Sequence, residues 1–146
     1  MPYMQATMLE ILRLATPVPY SARTSVGPNK LEGYDIPKNS ILTINLHSIH
    51  RDEQDWDQPE EFRPERFLQD GRVVIGDKMM PFGHGKRSCP GESTARLTLF
   101  IFDARLLQKF TFSVAKCHSA PSLGNLRGIS RVPPKFWVSM ALRWDE

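Results

Sequence analysis

Cysteine is scarce in this sequence, with only Cys89 and Cys117 among 146 residues. Two thiols cannot form the several disulfides that hold a small secreted domain together, so we expect a reducing compartment and a thiol with a chemical role. Long apolar runs are also missing, because the dense run at residues 99–102 is far shorter than the ~18 residues of a membrane span. Residues 1–14 show no basic region followed by an apolar block, so no signal peptide is predicted there.

Neither sign of charge dominates the chain. The 19 Lys and Arg residues exceed the 16 Asp and Glu residues by three, and the basic residues are scattered apart from Lys86 and Arg87. The sequence also has no regular series of aromatic residues on which bases would stack. We therefore expect no nucleic acid as a partner. With 40% hydrophobic residues, the composition is that of an ordinary folded domain.

Hydrophobic spacing and turn residues predict a fold of the α+β class, mainly helical with short β-hairpins. Pro17 and Pro19 end the first helix, because proline cannot donate to a helical hydrogen bond, and Pro90 suits the first turn of the second. The second helix is apolar on most of its surface, so we expect it to need packing partners that this chain lacks. The predicted segments, in chain order, are a helix (1–16), short paired strands (20–46), an irregular meander (47–81), a glycine-rich loop (82–91), a long helix (90–109) and a terminal hairpin (110–146).

The glycine-rich loop carries the candidate chemistry. Two glycines that can adopt positive φ precede Cys89, which stands at the start of a helix. The amides of Gly91 and Glu92 and the positive end of that helix favour a thiolate, and a thiolate ligates transition metals. Arg87 offers a planar, forked donor that suits a carboxylate. Together these features predict a site for a metal-bearing ligand with acidic groups.

Other interpretations of the thiols stay open at this point. A zinc or other non-haem metal site would use His84, Cys89, Cys117 and His118, although their spacing does not form the paired knuckles typical of structural zinc. The adjacent Cys117 and His118 would also suit a nucleophile, but no third group that supports one is visible. An unreactive cysteine that packs as a small hydrophobic residue is the ordinary alternative.

The loop reads Phe-Gly-His-Gly-Lys-Arg-Ser-Cys-Pro-Gly and resembles the haem-binding signature of the cytochrome P450 superfamily, Phe-Gly-x-Gly-x-Arg-x-Cys-x-Gly, at every specified position. The resemblance implies a partial cytochrome P450 fold, the C-terminal portion with the haem-binding loop. It implies that Cys89 is the axial iron ligand of haem b and that Phe82, Arg87 and Gly91 also contact the cofactor. Phe82 corresponds to the aromatic residue that shields the thiolate from water. Arg23 corresponds to a basic residue that binds a haem propionate.

Two further segments resemble the same superfamily. Glu10 and Arg13 match its Glu-x-x-Arg helix pair, and Arg66 lies in a Pro-Glu-Arg-Phe segment. An (i, i+3) ion pair alone is weak evidence, since such a pair contributes about 0.2–0.5 kcal/mol on a solvated helix. The resemblance implies that the three side chains form a structural ion network, which ties the meander to the first helix and has no catalytic role.

The resemblance also implies a function for a longer protein. The chain resembles the C-terminal third of a eukaryotic, microsomal-type monooxygenase, and we expect it to be a fragment that is insufficient for catalysis. The implied reaction inserts one atom of dioxygen into an apolar small-molecule substrate, which contacts residues 18–22 and 128–130. The implied electron donor is an NADPH-dependent flavoprotein reductase, or alternatively a ferredoxin, docking near Lys86 and Lys109. The implied location is the cytosolic face of the endoplasmic reticulum membrane, or alternatively mitochondria, with membrane association only through a missing N-terminal segment.

Overall fold

The computed structural model describes residues 1–120 and 130–144. Within these ranges, three α-helices, two short 3₁₀ turns and four two-stranded antiparallel sheets make up the fold. The mixture of helices with short hairpins is the predicted fold class. The elements, in chain order, are α1 (Pro2–Ala15), β1 (Tyr20–Thr24), β2 (Asn29–Leu31), β3 (Tyr34–Ile36), β4 (Ile41–Asn45), α2 (Leu46–Ile49), a 3₁₀ turn (Pro64–Phe67), β5 (Leu68–Gln69), β6 (Arg72–Val73), a second 3₁₀ turn (Gly85–Arg87), α3 (Glu92–Lys109), β7 (Phe110–Val114) and β8 (Val138–Leu142).

Helix α1 is the centre of the packing. Pro2 occupies its first turn, and Arg13 in its last turn complements the negative end of the helix. The helix ends at Ala15, and its C-cap residue, Thr16, has a left-handed φ of 36° and donates its amide hydrogen to the Leu12 carbonyl oxygen. Fully burying each large apolar side chain of the core contributes roughly 1.5–3 kcal/mol. The members of the buried core cluster are Ala6, Leu9, Leu12, Trp56, Phe67 and Met79.

The segment between α1 and the glycine-rich loop forms strands where the sequence predicts them and a meander after them. Strands β1 and β4 pair antiparallel, from Tyr20 opposite Asn45 to Thr24 opposite Ile41. Strands β2 and β3 form a hairpin whose turn contains Gly33 at a φ of +83°. The meander then packs against α1 and contributes three side chains of the core cluster, so its irregular backbone is held by packing.

Helix α3 begins at Glu92, two residues later than predicted. Pro90 lies outside the helix, because Gly91 is the N-cap and the first helical hydrogen bond runs from the Ala95 amide to the Gly91 carbonyl oxygen at 2.9 Å. No residue of α3 is buried, and Phe102 is 65% exposed. Only the partly buried Leu99 packs against the core cluster. This exposure agrees with the expectation that the helix needs packing partners beyond this chain.

The terminal hairpin pairs β7 with β8, from Phe110 opposite Leu142 to Val114 opposite Val138. Of the predicted substrate segment 128–130, residues 128 and 129 lie outside the described residues. Among the helices of the described ranges, none is both apolar enough and long enough to span a bilayer.

Candidate functional site

The glycine-rich loop folds back on itself before Cys89. Gly83 and Gly85 have φ angles of +79° and +76°, in the left-handed region that glycine enters at little cost, as the sequence predicts. The Cys89 amide donates to the Phe82 carbonyl oxygen at 2.9 Å, and the Ser88 amide donates to that of Gly85 at 3.0 Å. These bonds close the loop and present Cys89 as an exposed, free thiol.

A cavity of about 350 Å³ is lined by Cys89, Phe82, Arg87 and Arg23. Four of the five predicted binding residues therefore meet at one site, which we call the Cys89 cavity. Its volume is typical of a small-molecule site, and its mostly apolar wall with two cations suits an apolar ligand that carries acidic groups. Val18 and Ser21 come from the predicted substrate segment. The rest of the lining is Leu12, Pro17, Val18, Ser21, Leu46, Pro81 and Gly83.

Arg23 joins strand β1 to the glycine-rich loop. Its Nη2 donates to the Arg87 carbonyl oxygen at 2.8 Å, and its Nη1 donates to Ser21 Oγ at 2.9 Å and to the Ala22 carbonyl oxygen at 2.7 Å. These acceptors fix the direction of a half-buried guanidinium. Because Arg23 and Arg87 line the same cavity, the site has two positive charges for one anionic ligand.

The ring of Phe82 is held between the core and helix α3. It is partly buried and packs against the core cluster. The guanidinium carbon of Arg96 lies 5.2 Å from the centre of the ring, a cation–π contact, and Arg96 Nε donates to Glu92 Oε1 at 2.8 Å. An aromatic side chain therefore stands beside Cys89 in a supported position.

Gly91 does not line the Cys89 cavity. It is the N-cap of α3, and a Cβ atom added there would lie 3.8 Å from Cys89 Sγ, an ordinary contact distance. The sequence predicts that the Glu92 amide points at the Cys89 sulfur. This prediction is wrong, because the Glu92 N–H donates to the Cys89 carbonyl oxygen at 3.4 Å. Because α3 begins two residues later than predicted, the Glu92 amide closes a turn with the Cys89 carbonyl oxygen.

The Glu10 ion network, formed by Glu10, Arg13 and Arg66, is present and buried. The Glu10 carboxylate accepts hydrogen bonds from Arg13 Nε and Nη2 at 2.8 Å each, from Arg66 Nε at 3.1 Å and from the Arg63 amide at 2.9 Å. The Glu10 and Arg13 side chains are both 0% exposed. Burial raises the pKa of Glu10, but the hydrogen bond from Arg13, the Arg63 amide and the two arginine charges outweigh it and leave the pKa lowered.

The meander also contributes a buried histidine that the sequence patterns do not single out. His50 is 0% exposed, and both nitrogens of its ring are hydrogen-bonded, to Thr16 and to the Met80 amide. In the sequence, His50 lies between His47 and Arg51, in a polar segment of the kind that usually faces solvent. No pattern in this stretch of the sequence marks His50 as a buried residue.

The alternative metal site finds no support among residues 1–120 and 130–144. No group of three His, Cys, Asp or Glu side chains in these ranges is arranged to hold a metal ion. Cys117 is exposed in a turn, with a φ of +63°, and the His118 ring lies 5.7 Å from that of Trp137.

Comparisons with known proteins agree on one family. The model of the family described as cytochrome P450 matches residues 1–140. Human cytochrome P450 2U1 is 38% identical over 145 residues, which are 98% of this chain and 27% of that protein. The steroid 17-alpha-hydroxylase/17,20 lyase of Gallus gallus is 39% identical over 147 residues, covering 98% of this chain and 29% of that enzyme.

Solved structures give the same result. A zebra fish cytochrome P450 in a structure with abiraterone superposes with a TM-score of 0.88 at 35% identity, covering 98% of this chain and 34% of that one. The chain therefore spans about a quarter to a third of the length of the relatives that it matches.

Proposed function

The chain belongs to the cytochrome P450 family, and on that premise we propose that it forms the haem-binding part of a haem-thiolate monooxygenase. The activity belongs to a longer protein, since the chain matches only 27% of human cytochrome P450 2U1. The observation that carries the proposal is the meeting of Cys89, Arg23 and Arg87 in one mostly apolar cavity.

Four side chains of the Cys89 cavity and the neighbouring Gly91 each have a part in holding haem b. Cys89 supplies the thiolate ligand, and the closed loop before it fixes the direction of the Cα–Cβ bond. Arg23 and Arg87 bind the propionates, because a guanidinium matches a carboxylate with two parallel donors. Phe82 keeps water from the sulfur. Gly91 leaves the space next to Cys89 Sγ free of a side chain.

The chemistry supplied by the bound group is the reductive activation of dioxygen at a thiolate-ligated iron and the insertion of one oxygen atom into the substrate. The substrate is an apolar organic molecule, and Val18 lines the cavity at the point where α1 leads into β1. The Glu10 ion network takes no chemical part and holds the meander in place.

The electron donor that we propose is an NADPH-dependent flavoprotein reductase, with a ferredoxin as the alternative. Lys86, in the glycine-rich loop, and Lys109, at the end of α3, are the candidate docking residues. The proposed location is the cytosolic face of the endoplasmic reticulum membrane, with mitochondria as the alternative.

The two cysteines allow a matched test of the ligand. Both are exposed and free, so Cys89→Ala and Cys117→Ala remove equivalent groups. The protein that carries this chain is loaded with haem, reduced and exposed to carbon monoxide, and the absorption spectrum is recorded. We expect the long-wavelength band of a thiolate-ligated complex in the parent and in Cys117→Ala, and its loss in Cys89→Ala. A Cys89→Ala variant that kept this band would contradict the proposal.

A further inference from the structure

His50 is the one histidine in the described ranges that is completely buried with both ring nitrogens engaged. Its Nε2 accepts a hydrogen bond from the Met80 amide at 3.2 Å, and its Nδ1 lies 3.0 Å from Thr16 Oγ1. The Thr16 hydroxyl lies 2.6 Å from the Arg13 carbonyl oxygen, to which it donates. Arg13 Nη1 in turn donates to the His50 carbonyl oxygen at 2.7 Å.

These partners allow only one protonation state of the ring. A backbone amide can only donate, so His50 Nε2 must carry a lone pair, and the proton of a neutral imidazole is then on Nδ1. Nδ1 donates a hydrogen bond to Thr16 Oγ1, and the Thr16 hydroxyl donates one to the Arg13 carbonyl oxygen. The chain of donors therefore runs in one direction, from the Met80 amide through His50 and Thr16 to the end of α1.

Met80 is hydrogen-bonded through both its amide and its carbonyl group at the start of the segment that leads to Cys89. Its carbonyl oxygen accepts the Gly83 amide at 3.0 Å, which closes the turn that opens the glycine-rich loop. Two residues further on, the Phe82 carbonyl oxygen accepts the Cys89 amide at 2.9 Å. His50 thus binds the amide of Met80, and the loop that presents the thiol begins at the carbonyl group of the same residue.

We propose that His50, as the neutral Nδ1-protonated tautomer, is a positioning residue for the glycine-rich loop, which it anchors to α1 through the Met80 amide. The proposal rests on the proposed function in one respect, because haem retention is the property that this anchor controls. The Glu10 ion network and the His50 link share Arg13, so the end of α1 fixes both the meander and the loop.

The charges around His50 keep the ring neutral. Burial opposes a second proton on the ring most strongly, and the charges of Arg13, Arg51 and His47 oppose it further. The nearby carboxylates of Glu10 and Glu60 are themselves paired with Arg13 and Arg51. Together these effects lower the pKa of His50 to about 4, so the ring is neutral at neutral pH, and the Met80 amide selects its Nδ1-protonated tautomer.

Two substitutions separate the two hydrogen bonds of the ring. In His50→Gln the side-chain oxygen reaches the position of Nε2 and still accepts from the Met80 amide. In His50→Asn the shorter side chain reaches the position of Nδ1 and still donates to Thr16, but it leaves the Met80 amide without an acceptor. Each variant therefore loses one of the two ring bonds, so a merely structural role predicts similar effects for both.

The first measurement is the rate at which the haem-loaded protein loses haem to an excess of a haem-scavenging protein. We expect about a tenfold faster loss for His50→Asn, the factor expected for one unpaired buried amide, and a change within about twofold for His50→Gln. Urea unfolding of both variants supplies the control for global stability. Equal haem loss in the two variants, or loss that follows their unfolding free energies, would overturn the proposal.

The second measurement needs no haem and keeps this proposal separate from the proposed function. Amide hydrogen exchange is measured at Met80 and Gly83 in the protein before haem loading. Faster exchange at these amides in His50→Asn than in His50→Gln supports the anchor even if the parent protein fails to bind haem, an outcome that would refute only the proposed function. Equal exchange in the two variants would overturn the anchor.

Discussion

Removing the charge of Glu10 tests the buried ion network against a matched pair on the surface. Glu10–Arg13 and Glu92–Arg96 have the same nitrogen–oxygen distance of 2.8 Å, but their side chains are 0% and 0% exposed in the first pair and 30% and 37% in the second. Breaking a buried pair costs about 3–5 kcal/mol, because it leaves an uncompensated buried charge. Breaking an exposed helical pair costs about 0.5 kcal/mol or less.

The expected effect is large enough to read directly from urea unfolding curves. With a denaturant slope near 2 kcal/mol per molar, a loss of about 4 kcal/mol lowers the urea midpoint by roughly 2 M in Glu10→Gln. Glu92→Gln is expected to lower it by roughly 0.25 M or less. Circular dichroism follows the helices in both variants and in the parent. Equal midpoints for the two variants would refute the reasoning that burial makes the Glu10 network strong.

The pH dependence of the parent provides a second check on Glu10. Its folded-state pKa is lowered, so the unfolded chain takes up the proton first as the solution is acidified. The stabilisation is therefore complete above the ordinary glutamate pKa of 4.5 and is lost as the pH falls below it. The Glu10→Gln variant should lack this component of acid unfolding. An unchanged acid profile would show that the network does not act through the ionised carboxylate.

Three further outcomes are expected. The pKa of His50 is about 4 in the folded protein against an ordinary 6.5, so its contribution to stability is complete above pH 6.5 and about 3 kcal/mol of it is lost on acidification to pH 4. Unfolding measured at each pH tests this, and His50→Gln should lose less stability over the same range. Gly83→Ala should lower the free energy of unfolding by about 1–2 kcal/mol, because Gly83 has a φ of +79°. The control Gly27→Ala should have no effect, since Gly27 has open space around it and no positive φ, and equal costs for the two variants would contradict the left-handed turn. Arg87→Ala should weaken haem binding about tenfold or more in a spectroscopic titration, and Lys86→Ala about twofold or less; the reverse order would remove Arg87 from the site.

Local chemistry made the glycine-rich loop predictable from sequence. Gly83 and Gly85 have positive φ angles, which glycine adopts easily because it lacks a Cβ atom, and Arg87 and Cys89 follow within a few residues. The loop and the two side chains proposed to bind haem therefore come from one short segment. The start of α3 was less predictable, because proline is favoured in a first turn but Gly91 also makes a suitable N-cap.

Contacts between distant segments were harder to predict than the loop. Arg23 reaches the Arg87 carbonyl oxygen across 64 residues, and His50 reaches the Met80 amide across 30. Arg23 was placed only by family resemblance. No periodicity marks His50, since a single buried polar residue in an irregular segment leaves no repeating pattern. The exposure of α3, by contrast, was expected from its almost continuous apolar surface, which one neighbouring helix cannot cover.

The central claim is that the sulfur of Cys89 binds the haem iron, and X-ray absorption at the iron edge tests it most directly. The measurement compares the haem-loaded parent, Cys117→Ala and Cys89→His, in which an imidazole can replace the thiolate. We predict a sulfur neighbour of iron in the first two proteins and only nitrogen or oxygen neighbours in the third. A sulfur neighbour that persisted in Cys89→His, or that was missing from the parent, would contradict the account.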